Sequence, residues 1–166
     1  MAFLYDALSR SAVQSAGAPA FEIIGGSCHC WSFADLKTDV DDLAARLVDH
    51  VNHQDIVGID SGQLRVQFLL TLALDKLNIA TTALQTDAAN FPEWVTKTVD
   101  FAGQHPNSKS VPIKVQQLSA PVMPDSAKAD DRLSRIVFTS GTTGHPKGVA
   151  FSPQIISNRV EEYERH

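Results

Sequence analysis

Residues 139–148, Thr-Ser-Gly-Thr-Thr-Gly-His-Pro-Lys-Gly, are the most informative stretch of this chain. They follow Ile136-Val137-Phe138, an apolar run with the length and β-branched content of a buried strand. The stretch holds four hydroxyl side chains, three glycines and one lysine. Glycine lets the backbone approach an anion, amides and hydroxyls donate hydrogen bonds to it, and lysine adds positive charge. We therefore predict a loop that begins where a strand ends and that binds nucleotide phosphates.

Two well-known phosphate-binding loops do not fit this stretch. A Walker A loop ends in Gly-Lys followed by Ser or Thr, whereas here Pro146 precedes Lys147 and Gly148 follows it. The GxGxxG spacing of dinucleotide-binding folds is also missing. A flexible linker rich in Ser, Thr and Gly is the remaining alternative. Linkers, however, seldom carry Pro-Lys-Gly directly after a buried strand.

The stretch from Thr139 to Val149 resembles the phosphate-binding signature of the adenylate-forming superfamily. That superfamily includes acyl- and aryl-CoA synthetases, the adenylation domains of nonribosomal peptide synthetases, and luciferases. Asp130-Asp131 is similar to the acidic pair that often leads into the preceding strand. The run from Trp31 to Leu36 is similar to the aromatic-x-Glu-Leu entry of an early helix, with Asp35 in place of glutamate.

The resemblance implies a chemistry and a set of residues for it. Superfamily members use ATP with Mg²⁺ and a carboxylate to form an acyl-adenylate and pyrophosphate. A thiol of CoA or of a carrier protein, or an amine, then displaces AMP. By this resemblance Lys147 is the catalytic cation that stabilises charge on the departing phosphates. The implied nucleotide-binding residues are Thr139, Ser140, Gly141, Thr142, Thr143, Gly144 and Lys147. No residue of the chain is assigned as a metal ligand.

The other motifs of the superfamily follow the signature in its members, and none of them can be carried over to this sequence. They include a Tyr-Gly-x-Thr-Glu run, a ribose-binding aspartate, and the lysine of a small C-terminal domain. We therefore expect residues 1–166 to be a single α/β domain, the N-terminal part of a longer ligase, and inactive alone. The alternatives are a stand-alone nucleotide-phosphate-binding module and a partner-docking half of a split ligase. A truncated domain would expose apolar surface and self-associate. The carboxylate substrate stays open.

Composition excludes several classes of partner. The chain has 166 residues, 43% of them hydrophobic and 20% charged, which is typical of a globular protein with a core. Its formal net charge of -5, without a basic block, argues against nucleic-acid binding. The strongly apolar run 68–74 is far too short to span a bilayer. Asp6 interrupts the apolar N-terminus, which therefore does not read as a signal peptide. We expect a cytoplasmic protein.

A Cys-His-Cys triplet, Cys28-His29-Cys30, invites a zinc reading. Tetrahedral zinc takes four ligands, usually as two separated pairs, and the sequence has no second pair. Small residues packed in a β-hairpin are therefore favoured over a metal site. The other histidines outside the signature have polar neighbours, and we expect them at the surface.

The remaining pattern predicts a three-layer α/β arrangement, with a largely parallel sheet flanked by helices. This is the expected first part of the large N-terminal domain of an adenylate-forming enzyme. Predicted helices cover 1–16, 33–51, 62–77, 90–103 and 154–166. Predicted strands cover 20–24, 27–31, 55–60, 79–84, 111–118, 133–138 and 149–151.

Local signals refine this pattern. Ser32 with Asp35, and Ser152 with Pro153, mark the starts of two helices. The units 55–60, 62–77 and 79–84 predict a parallel strand–helix–strand crossover. Pro112 places 111–118 at a sheet edge or a strand start, and 119–131 is expected to be a surface loop. The predicted apolar helix faces include Val13, Val48, and Trp94 with Val95 and Val99.

Overall fold

The computed structural model describes residues 3–23, 29–61, 63–84, 92–101, 113–118, 133–139 and 147–164. Within these ranges the helices are α1 Phe3–Gln14, α2 Phe33–Leu47, α3 Leu64–Lys76 and α4 Pro153–Glu164. The strands are β1 Pro19–Ile23, β2 His29–Ser32, β3 Ile56–Ile59, β4 Ala80–Ala83, β5 Lys97–Phe101, β6 Ile113–Gln117, β7 Arg135–Thr139 and β8 Lys147–Phe151.

Six strands of the described ranges form one sheet in the order β6-β5-β3-β4-β7-β8. The four central strands run parallel, and each edge strand runs antiparallel to its neighbour. β3, α3 and β4 form the predicted parallel crossover, with Ile56 opposite Ala80 and Ile59 opposite Ala83. β6 lies at an edge, as Pro112 predicted. The predicted α/β fold with a largely parallel sheet flanked by helices is confirmed.

The main core lies between the sheet and the first three helices. α3 contacts β3 and β4, and α1 and α2 pack against α3. α3 is apolar on most sides, and Leu70 and Leu74 are completely buried. Val57 and Ile59 of β3 belong to the same cluster, so Gly58 between them faces the opposite side of the sheet.

The helix starts follow the predicted signals. The Ser32 hydroxyl accepts a hydrogen bond from the Asp35 backbone N–H and donates one to the Asp35 carboxylate. This satisfies one of the N–H groups that the first turn of α2 leaves without an internal partner. At the start of α4 the Ser152 hydroxyl accepts a hydrogen bond from the Ile155 backbone N–H, with Pro153 in the first helical position.

Asp41 of α2 joins the three packed helices. Its carboxylate accepts hydrogen bonds from the Tyr5 hydroxyl at 2.6 Å, from Lys76 at 2.7 Å and from Lys37 at 2.6 Å. Burial alone would raise the pKa of Asp41, but the hydrogen bonds from Lys37, Lys76 and Tyr5 outweigh it and lower the pKa to about 2. The ionised carboxylate therefore holds α1, α2 and α3 together.

A carboxylate of α3, that of Asp75, caps α1. The Tyr5 backbone N–H donates to Asp75 at 2.9 Å, so a side chain from another helix satisfies the first turn of α1. Asp75 is buried, and this burial raises its pKa, although the hydrogen bonds from the first turn of α1 act in the other direction.

A buried ion pair fastens β5 to β3. Asp55, only 1% exposed, accepts hydrogen bonds from Lys97 at 2.7 Å and from the Thr96 hydroxyl at 2.9 Å. The Asn52 backbone N–H donates to the same carboxylate at 2.8 Å. Each carboxylate oxygen thus has a partner, as a buried charge requires.

The predicted helix at 90–103 is wrong, because the described part of this segment enters the sheet as β5. Val95 and Val99 have helical i,i+4 spacing, but the run Val-Thr-Lys-Thr-Val that they enclose is almost entirely β-branched. Such residues fit a pleated, half-buried surface better than a helix. β5 pairs with β3 on one side and with β6 on the other, and so lies inside the sheet.

Three smaller predictions, for Val13, Val48 and Cys30, were also wrong. Val13 of α1 is 84% exposed instead of facing the core, and Val48 lies just beyond the end of α2 and is exposed. β1 and β2 form the predicted hairpin, in which Cys30 is an exposed free thiol and not a packed residue. Cys28 lies outside the described residues. His50 and His53 are exposed, as predicted. The predicted loop at 119–131 lies outside the described residues.

Candidate functional site

The candidate site begins at the carboxyl end of β7. Because β3, β4, β5 and β7 are parallel, their carboxyl ends lie along the same edge of the sheet. In open α/β sheets this edge is where ligands bind. Thr139, the first predicted site residue, is the last residue of β7. The predicted stretch thus begins at the carboxyl end of a described strand, and its residues 140–146 lie outside the described residues.

The chain returns as β8, which pairs antiparallel with β7, so residues 140–146, the candidate loop, connect two paired strands. Thr139 and Lys147 are opposite each other in the register, followed by Phe138 opposite Gly148. β8 therefore begins at Lys147, two residues before the predicted strand start. The structure brings together the backbones of the first and last residues of the predicted site, which are eight positions apart in sequence. This pairing brings the two ends of the loop together.

The other predicted site residues, Ser140, Gly141, Thr142, Thr143 and Gly144, lie outside the described residues, as does His145. The assignment of Thr139 through Lys147 to phosphate binding stays a prediction.

Trp94 supports the hairpin from one face of the sheet. Its ring stacks on Phe138 with the ring centroids 5.5 Å apart and the planes inclined by 30°. A Cβ added to Gly148 would lie 3.0 Å from Ile136 and 3.4 Å from Trp94. Glycine at 148 therefore avoids crowding Ile136 of β7, while the tryptophan ring lies at an ordinary contact distance. Sequence reasoning placed Trp94 on a helix and missed this contact, which depends on residues more than forty positions apart.

The segment that carries Trp94 packs on β3 through the neighbouring residue Val95. A Cβ added to Gly58 would overlap the end of the Leu84 side chain and would lie 3.1 Å from Val95. Leu84 follows β4, and its backbone N–H donates to the Ile59 carbonyl. The packing of Leu84 and Val95 on Gly58 thus positions the connection that leads from β4 past β3 to β5.

The carboxyl end of β3 is also held by hydrogen bonds. The Gln67 amide donates to the Ser61 carbonyl, and the Asp60 backbone N–H donates to the Val99 carbonyl at 3.1 Å. Ser61 itself is buried. The first bond holds the start of α3, and the second holds the end of β3 against β5, along the edge to which the candidate loop belongs.

Within the described ranges there is neither a metal-binding cluster nor a membrane-spanning helix. Among those residues, no three His, Cys, Asp or Glu side chains are grouped so that they could hold a metal ion. None of the described helices is long and apolar enough to cross a membrane.

Comparison by sequence finds neither a matching family model nor a matching curated protein. Comparison by structure finds clear matches. The crystal structure of IdnL1 superposes with a TM-score of 0.65 at 18% identity, over 99% of this chain and 37% of that one. The N-terminal subdomain of Klebsiella oxytoca NpsA, in complex with 3-hydroxybenzoyl-AMSN, gives 0.64 at 19% identity, over 91% and 41%.

A third match is the fatty acyl-adenylate ligase from L. pneumophila, in complex with acyl adenylate and pyrophosphate. It gives a TM-score of 0.60 at 15% identity, over 97% of this chain and 32% of that one. The chain thus spans between 32% and 41% of the length of these three structures. Over that length it has the fold of the adenylate-forming enzymes.

Proposed function

We propose that this chain supplies the phosphate-binding part of an ATP-dependent ligase that activates a carboxylate as an acyl-adenylate. The observation that carries the proposal is the hairpin register, which pairs Thr139 with Lys147 at the carboxyl edge of a parallel sheet. The residues between them are rich in hydroxyl groups and glycine, the composition that a phosphate-binding loop needs. The fold shared with an acyl-adenylate ligase supports the same reaction class.

In this proposal the hydroxyl and amide groups of residues 139–144 donate hydrogen bonds to the β- and γ-phosphates of ATP. Lys147 provides the positive charge that offsets the negative charge growing on pyrophosphate as it leaves. Donors held in position before the reaction lower its barrier because they need no rearrangement when charge develops. The stacking of Trp94 on Phe138 holds the end of β7 from which the loop leaves.

The donor set suits a triphosphate. The stretch 139–148 contains no carboxylate, the side chain through which proteins usually bind Mg²⁺. We propose that Mg²⁺ arrives bound to ATP and that no residue of this loop ligates it. The acceptor of the acyl group, a CoA or carrier-protein thiol, belongs to the same proposal.

The first test is calorimetric titration of the chain with ATP and Mg²⁺. Lys147→Ala should weaken binding roughly tenfold or more, because a charge-assisted hydrogen bond to phosphate is lost. Lys114→Ala is the matched control, since Lys114 is exposed on the edge strand β6. Equal affinities for the wild type and Lys147→Ala would refute the role of the loop.

The second test addresses the reaction. The protein encoded by the complete gene should exchange pyrophosphate into ATP when the correct member of a panel of fatty, aromatic and amino acids is present. Lys147→Ala should slow this exchange, while Lys114→Ala should not. ATP binding without exchange on any carboxylate would favour a stand-alone binding module over a ligase.

A further inference from the structure

A cavity of about 410 Å³ lies between α1, α3 and the start of α2, on the core side of the sheet. Its walls are mainly apolar and include Leu4, Leu8, Phe33, Phe68 and Leu72. This volume falls within the range of about 300–1,000 Å³ found for sites that bind small organic molecules. A wholly aliphatic or aromatic group would therefore find both space and apolar contacts there.

Among the described residues, one charged side chain lines the cavity. Arg135, the first residue of β7, is half-buried, and over the described part of the chain its side chain has no hydrogen-bond or ion-pair partner. A guanidinium held beside an apolar cavity favours an anion, and its planar pair of N–H donors matches a carboxylate. Arg135 is four residues from Thr139, roughly 13 Å along an extended strand. The cavity is therefore distinct from the candidate phosphate loop.

We propose that this cavity binds a medium-chain fatty acid, with its alkyl chain against α1 and α3 and its carboxylate on Arg135. The apolar walls contact the alkyl chain, and the guanidinium pairs with the carboxylate. This second site does not depend on ATP binding at residues 139–147, because the two sites lie at opposite ends of β7.

Decanoate and decan-1-ol, titrated calorimetrically below their aggregation concentrations, test the proposal. The two ligands share an apolar chain and differ in the head group. The wild-type chain should bind one decanoate per monomer, at least about tenfold more tightly than decan-1-ol, because only decanoate forms a charge-assisted pair. Arg135→Gln should abolish this preference while keeping the weaker binding of the alcohol. Arg159→Gln, on the exposed face of α4, is the matched control and should bind as the wild type does.

A second variant tests the cavity itself. Ala7 lines it, and Ala7→Leu adds volume at a helical position that leucine suits well. It should lower the affinity for both ligands roughly tenfold or more, with an unchanged circular dichroism spectrum. Equal wild-type affinity for decanoate and decan-1-ol, or binding of neither, would overturn the proposal. Inorganic phosphate binding at Arg135 as tightly as decanoate would overturn it as well.

The same titration separates this site from the proposed function. Lys147→Ala should bind decanoate as the wild type does, whatever its affinity for ATP. Loss of decanoate binding in Lys147→Ala would show that the two sites are one, and it would refute the separate cavity while leaving the phosphate loop in place.

Discussion

Replacing Asp41 by asparagine should loosen the three-helix junction and remove a specific pH dependence of stability. The pKa of Asp41 falls from 3.8 to about 2, mainly because hydrogen bonds from Lys37, Lys76 and Tyr5 outweigh the effect of burial. Each pKa unit corresponds to about 1.4 kcal/mol, so the full shift would amount to roughly 2.5 kcal/mol. The side chains of Asp41, Lys37 and Lys76 are each about a third exposed, at 31–33%. Solvent screening therefore reduces the expected loss to about 1 kcal/mol.

The direction of the pH effect follows from the lowered pKa. A carboxylate with a lowered pKa in the folded state stabilises the protein fully above its unfolded pKa of about 3.9, and this stabilisation is lost as the pH falls towards 2. Urea unfolding at pH 7 should show Asp41→Asn to be less stable than wild type by about 1 kcal/mol, and the gap should shrink below pH 4.

Asp42→Asn is the matched control, because Asp42 is the exposed neighbour on the same helix and undergoes the same change. It should leave stability nearly unchanged. If Asp41→Asn lowers the free energy of unfolding no more than Asp42→Asn does at pH 7, the carboxylate does not hold the helices together. The same conclusion follows if the loss of stability in Asp41→Asn is equal at pH 7 and pH 3.

Two further substitutions test the packing that supports the candidate loop. Gly58→Ala should destabilise the fold by about 1–3 kcal/mol, because its Cβ would overlap Leu84, whereas Gly17→Ala, with nothing within 4 Å of the added Cβ, should be neutral or slightly stabilising in urea unfolding. A stable Gly58→Ala protein would show that Leu84 and Val95 do not pack on β3 as described. Trp94→Ala should lower the free energy of unfolding by about 2 kcal/mol and weaken ATP binding. Trp94→Phe should keep most of the stability and most of the ATP affinity, since a ring would still stack on Phe138. Unchanged ATP affinity in a destabilised Trp94→Ala protein would separate the aromatic pair from the function of the loop.

Features set by neighbouring residues were predictable from the sequence. The apolar positions of α2 recur at helical spacing and follow a Ser32–Asp35 cap, so both the helix and its start were correctly predicted. β3, α3 and β4 follow one another with short connections, which explains why the parallel crossover was also predicted. The stretch that ends β7 and starts the candidate loop stood out because its composition differs from that of its surroundings.

Features set by distant residues were not predictable in the same way. β5 was mistaken for a helix because the i,i+4 spacing of Val95 and Val99 outweighed their β-branched neighbours, and only pairing with β3 and β6 resolves the ambiguity. Asp41 owes its lowered pKa to Lys37 one helical turn away, but also to Lys76 and Tyr5, each at least 35 positions away. The cavity beside Arg135 likewise combines α1, α3 and β7, and no local sequence pattern indicates it.

The hairpin register also limits how the length of the candidate loop can change during evolution or design. Thr139 opposite Lys147 and Phe138 opposite Gly148 set where β8 lies against β7. Removing one residue from 140–146 would shorten the span between these fixed points or slip β8 by one position. Such a slip turns every side chain of a strand to the other face. It would also place the side chain of Val149 or Lys147 at the position of Gly148, where an added Cβ would lie 3.0 Å from Ile136. Variation in loop composition should therefore be tolerated more readily than variation in loop length.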